Sequence, residues 1–129
     1  MNAAMLAARV LVCGIFVQGA FGKIAGWEGQ AAYMRAHGIT HFTAPLLAAA
    51  LVVEAGGVLC LLSGWKARAA AAVMCGYLVI LSLLLHDFWA APAARAGMMQ
   101  TEFLKNMGIA AGLLMIAACG PGRWSLGRS

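Results

Sequence analysis

Six polar side chains stand out in a chain otherwise dominated by Ala, Leu, Val and Gly: Arg9, Lys23, Glu54, His86, Lys105 and Asn106. Glu54 lies inside the run Leu-Val-Val-Glu-Ala-Gly-Gly-Val-Leu-Cys-Leu-Leu, residues 51–62, with no other charge in it. A charged group facing lipid near the bilayer centre costs at least about 2.5–3.5 kcal/mol on insertion scales, so such groups turn inward and take partners. Two chemistries are open to this position. One is a structural ion pair with Arg9 or Lys23 that joins two helices; the other is a carboxyl group that carries a proton or binds a ligand, since desolvation without a partner favours the protonated form.

A second group, Lys23, His86, Lys105 and Asn106, falls near the ends of three different apolar segments, beside Asp87 and Glu102. Ammonium, imidazole and amide groups are hydrogen-bond donors, which a quinone carbonyl requires. The alternative is a solvated rim at the membrane surface. No metal site is expected: His37 and His41 are separated by Gly38, and Cys13, Cys60, Cys75 and Cys119 lie far apart with no C-x-x-C spacing.

These residues need elements to position them. Of 129 residues, 64% are hydrophobic and 10% charged, too little polar surface for a small water-soluble globule. The small-residue content favours helices over an alternating barrel pattern. Four apolar blocks of bilayer length fall at about 4–22, 44–63, 67–86 and 102–119, so the expected fold class is all-α integral membrane, a single domain over 1–129 built as a four-transmembrane-helix bundle. The first block carries Arg9 inside rather than before it and reads as a spanning helix, not a signal peptide. Residues 28–36 are expected as a short interfacial helix ended by Gly38, 64–66 as a tight turn, and 87–101 as an irregular link folded over the bundle.

Helical geometry groups the polar residues into stripes. At 100° per residue Arg9 and Lys23 lie about 40° apart on one face with Cys13, Phe16 and Ala20, while Cys75, Ser82 and His86 align on the third block. Glu102, Lys105 and Asn106 fall in little more than one quadrant of the fourth. Gly57 and the pair Gly108 and Gly112 offer close approach to other helices. The net charge of +5 is scattered rather than gathered in a basic stripe, which excludes nucleic acid as a partner and leaves the lipid bilayer. Lys66 and Arg68 in the short turn, with Arg9, Arg123 and Arg128 on the same side, place both termini in the cytoplasm.

Taken in order, Arg9, Gly22-Lys23, Glu54-Ala55-Gly56-Gly57, the turn Gly64-Trp65-Lys66-Ala67-Arg68, His86-Asp87-Phe88-Trp89 and Phe103-Leu104-Lys105-Asn106-Met107-Gly108-Ile109-Ala110-Ala111-Gly112 resemble the DoxX family of small four-helix membrane proteins across nearly the whole chain. The resemblance implies a multi-pass protein of the bacterial inner membrane, associated with redox or detoxification chemistry, whose relatives include a thiosulfate:quinone oxidoreductase subunit and partners of thiol-stress enzymes. With no haem, flavin or nucleotide motif in the chain, the expected cofactor is a bound quinone and the expected partner a redox or stress-response protein. The competing expectation is a non-catalytic scaffold or partner-recruiting subunit, stapled by internal ion pairs and open to homo-oligomer formation. A transporter would need several copies to build a path.

Overall fold

A computed structural model describes residues 1–127. It contains α1 (Asn2–Ala25), α2 (Trp27–Ala36), α3 (Thr43–Ser63), α4 (Ala67–Leu85) and α5 (Ala93–Cys119). All but α2 are long and apolar enough to span a bilayer. The bundle runs up-down-up-down, with α1 against α3, α3 against α4 and α4 against α5.

Small side chains set the helix spacing. A Cβ at Gly57 of α3 would collide with the thioether of Met74 on α4, so the two backbones meet where glycine permits it. Gly112 of α5 faces α1, a Cβ there lying 3.4 Å from Val12 Cγ2, whereas a Cβ at Gly108 would meet nothing within 4 Å. The expected G-x-x-x-G face is thus divided, with Gly112 packed and Gly108 left on the outer surface. Phe16, Leu61, Met74, Leu78, Leu113 and Ile116 fill the space between the helices. Leu11, Phe21, Val52, Leu59, Ile80, Leu104 and Leu114 point outward, as a lipid solvent allows.

Turn chemistry fixes the connections. Gly64 closes α3 at φ 78°, a left-handed conformation suited to glycine, and its N–H donates to Cys60 O at 2.9 Å. Lys66, also left-handed at φ 48°, starts α4 two residues later. The interfacial segment is a helix from Trp27, pinned to the far end of α4 by the Tyr33 hydroxyl, which donates to Leu85 O at 3.0 Å.

The link 87–101 differs from expectation. Only 87–92 is irregular; α5 begins at Ala93, directly after Pro92, and carries Gly97 within it. Proline is tolerated at a helix start because the missing N–H would have no intrahelical partner there. Hydropathy alone hid this first stretch because Arg95, Gln100 and Thr101 interrupt the apolar run.

Candidate functional site

Antiparallel packing of α1 on α3 brings Lys23 to Glu54. Lys23 Nζ donates to Glu54 Oε1 at 2.8 Å and Oε2 at 2.9 Å. Both residues are buried, at 8% and 4% exposure. The third member comes from α4: the Tyr77 hydroxyl donates to Glu54 Oε1 at 2.6 Å. Gly19, one turn before Lys23, lies against the carboxylate, and a Cβ there would stand 3.1–3.3 Å from its atoms. Three helices therefore converge on one carboxyl group, and no space remains above it on the α1 side.

Tyr77 and Gly19 are the members that sequence reasoning missed. A signal for Tyr77 existed, since it is one of two tyrosines in the chain and the other, Tyr33, lies outside the four apolar blocks. The tight turn at 64–66 sets the register of α3 on α4, and the pair Gly57 and Met74 repeats one turn nearer that turn.

The expected pairing of Arg9 with Glu54 does not form. Arg9 precedes Lys23 by 14 residues on α1, nearly four helical turns and about 21 Å of rise, and so reaches the other end of α3. There Nη1 donates to Leu61 O at 3.1 Å and Nη2 donates to Trp124 O. The residue is 0% exposed, and its Nε has no partner among the described residues. A guanidinium offers five donors in a fixed fork, which suits it to two carbonyls arriving from different segments.

The remaining candidates separate into two places. Asn106 is buried between α4 and α5, where Nδ2 donates to Ser82 Oγ at 3.0 Å and Ser82 in turn donates to Leu78 O at 2.7 Å. Lys105 points outward and pairs with Glu102 at 2.5 Å in an exposed i,i+3 contact. His86 caps α4, half-buried, and burial pushes its imidazole below the ordinary value, opposed by Glu102 and reinforced by Lys105. Beside it Phe88, Trp89 and Phe103 form an edge-to-face cluster with centroid separations of 5.2, 5.5 and 5.9 Å. The five candidate ligand-binding residues thus do not line one pocket: Lys23 and Glu54 are paired inside, Asn106 is engaged with Ser82, and His86 and Lys105 stand at the rim. All four cysteines are free thiols.

Four apolar helices packed around buried polar groups that pair with one another or with backbone carbonyls define a multi-pass integral membrane protein. The chain belongs to the DoxX family, whose model matches residues 4–87, and a model described as the SURF4 family matches residues 49–128. Two relatives from Escherichia coli (strain K12) cover nearly its whole length. The inner membrane protein YqjF is 34% identical over 124 residues, 96% of this chain and 89% of the relative. The inner membrane protein YphA is 32% identical over 126 residues, 96% of this chain and 88% of the relative. No solved structure matches the chain. The protein is accordingly a multi-pass protein of the inner membrane.

Proposed function

We propose that this protein is a non-catalytic membrane scaffold, a subunit that recruits or stabilises a partner within a redox or detoxification system. The observation that carries this reading is the closure of Glu54: both carboxylate oxygens are taken by Lys23, one is shared with Tyr77, and Gly19 covers the group. A carboxylate so engaged acts as a staple between α1, α3 and α4 rather than as a vacant receptor. Small residues remain on the outside for a partner helix; Gly56, Gly76 and Gly108 would each carry a Cβ without meeting an atom within 4 Å.

Both termini face the cytoplasm in this reading. Arg9, Lys66, Arg68 and Arg123 belong to the end of the bundle that holds the termini, where the Arg123 N–H donates to Asn2 Oδ1 at 3.3 Å. The test of recruitment is crosslinking in the native membrane with a photoreactive residue at Gly76 or Gly108. A defined partner band lost on Gly108→Leu supports the scaffold, whereas crosslinks to lipid alone at every position sink it.

A quinone-interacting role has its own observation in its favour, the aromatic cluster of Phe88, Trp89 and Phe103, whose Phe88 follows His86 directly in the turn after α4 and donates its N–H to His86 O at 2.9 Å. Aromatic faces and nearby donors suit a planar ring with carbonyls. Extraction of the purified protein for bound quinone, followed by titration of His86→Ala and Lys105→Met, decides between the two readings. No detectable quinone at any concentration leaves the scaffold alone.

A further inference from the structure

The end of the bundle formed by the start of α1, the 64–66 turn and the end of α5 gathers positive charge with no opposing side chain. Among the described residues, Glu28 belongs to α2, Asp87 follows α4, Glu102 lies in the first half of α5, and Glu54 is engaged by Lys23. From Glu102 to Cys119 the helix rises about 25 Å, so that carboxylate belongs to the opposite end. Among the described residues, Arg9, Lys66, Arg68 and Arg123 have no acidic partner.

Between the last turn of α5 and the first turn of α1 lies a hollow of about 690 Å³. Arg68 and Arg123 line it, and Met5, Cys119 and Pro121 supply apolar wall. Two left-handed glycines shape it, Gly120 at φ 85° and Gly122 at φ 80°, which bend the chain around Pro121. A Cβ at Gly122 would lie 3.1 Å from Met5 Cβ, so this bend is pressed onto α1. Trp124, whose carbonyl accepts from the buried Arg9, sits between two lining residues, Arg123 and Ser125. The Arg9 charge therefore stands behind the wall, balanced only by carbonyl dipoles and with Nε unpartnered.

We propose that this hollow binds a phosphate-bearing anion, held by the guanidinium groups of Arg68 and Arg123 and favoured by the charge of Arg9 behind them. Arg68 spends Nε on Ala117 O at 3.0 Å, and its terminal amino groups have no partner among the described residues. A guanidinium fork matches phosphate oxygens two at a time. The volume falls within the range of about 300–1,000 Å³ common to small-molecule sites. Apolar wall beside two lining arginines suits a phosphate that carries carbon, such as the glycerophosphate of an anionic phospholipid; inorganic phosphate offers the same oxygens without the carbon. The inference does not depend on the scaffold reading, because it uses none of the residues around Glu54.

The test titrates the full chain, purified in neutral detergent, with short-chain phosphatidylglycerol, with phosphatidylcholine and with inorganic phosphate, reading bound adducts by native mass spectrometry. Phosphatidylglycerol is expected to bind over phosphatidylcholine, with about fivefold weaker binding for each arginine removed in Arg68→Gln and Arg123→Gln. Arg35→Gln, at the opposite end, should leave it unchanged. Inorganic phosphate that binds as well and competes assigns the site to a free anion; failure to compete assigns it to the lipid headgroup. Because Arg68 also braces α4 against α5, Arg123→Gln carries the decision. Undiminished binding in that variant, or equal binding of the two lipids, overturns the proposal.

Discussion

Lys23 Nζ sits 2.8 and 2.9 Å from the two oxygens of Glu54, and this is the only ion pair inside the bundle among the described residues. Removing one partner of a buried pair leaves the other charge unpaired and costs about 3–5 kcal/mol in soluble proteins, while replacing both with apolar groups of similar volume is often neutral. Lys23→Met and Glu54→Leu should therefore each lower the melting temperature in detergent, and the double variant should recover much of the loss. Additive losses across that cycle would show that the two side chains do not depend on each other.

Arg9→Lys should release the C-terminal segment. An ammonium cannot span Leu61 O and Trp124 O as the guanidinium fork does, and a hydrogen bond to a charged group contributes about 1.5–3 kcal/mol. Amide exchange at Leu126, whose N–H donates to Ser63 O at 2.8 Å, should accelerate while exchange in the middle of α4 stays slow. Unchanged protection at Leu126 would count against the latch.

Tyr77→Phe removes only the hydroxyl that reaches Glu54 Oε1. The expected loss is about 1–3 kcal/mol, since one buried acceptor then loses a donor. In Lys23→Met the same substitution should cost a different amount, because both donors serve one carboxylate. A Tyr77→Phe melt indistinguishable from the parent would mean that α4 takes no part in the site.

Gly57→Ala and Gly108→Ala separate packed glycines from outward ones. The first drives a methyl group into Met74 and should cost about 1–3 kcal/mol, whereas the second meets nothing within 4 Å and should be neutral or slightly stabilising. Equal melting of the two variants would contradict the α3–α4 contact.

Acidification should weaken the end of the bundle opposite the termini through His86. Its value in the folded chain lies below the ordinary 6.5, with burial the main cause. As the pH falls through about 6.5 the unfolded chain takes up the proton first, so stability present above that point declines until the folded value is passed. Lys105 and His37 act in the same direction as burial, and Glu102 and Asp87 oppose it. His86→Asn should flatten this part of the stability profile below about pH 6.5; an unaltered slope would assign it to other groups.

Helical periodicity made the inward face of α1 legible: Arg9, Cys13, Phe16 and Lys23 are its buried residues, and Glu54 turns inward on α3. Periodicity fixes angle but not axial register, which is why the sequence leaves Arg9 and Lys23 as equal partners for Glu54 while the packed helices choose Lys23. The same geometry limits the fourth span. Lys105 and Asn106 are neighbours and so stand about 100° apart, and when Asn106 turns toward Ser82 the lysine is directed to the surface. Tyr77 was marked only by its rarity as a tyrosine within an apolar block, and its partner, 23 residues away on another helix, follows from packing rather than from periodicity.

The two acceptors of Arg9 also set an order of assembly. Leu61 follows it by 52 residues and Trp124 by 115, so at roughly 5–20 residues per second the first carbonyl emerges about 3–10 s after the arginine and the second about 6–23 s after it. Until α3 arrives, the first helix enters the membrane with its guanidinium unmatched. It then waits half-satisfied until the end of α5 has crossed. A newborn chain arrested before Trp124 should therefore hold α1 loosely, exposed to quality-control proteases that the finished bundle resists.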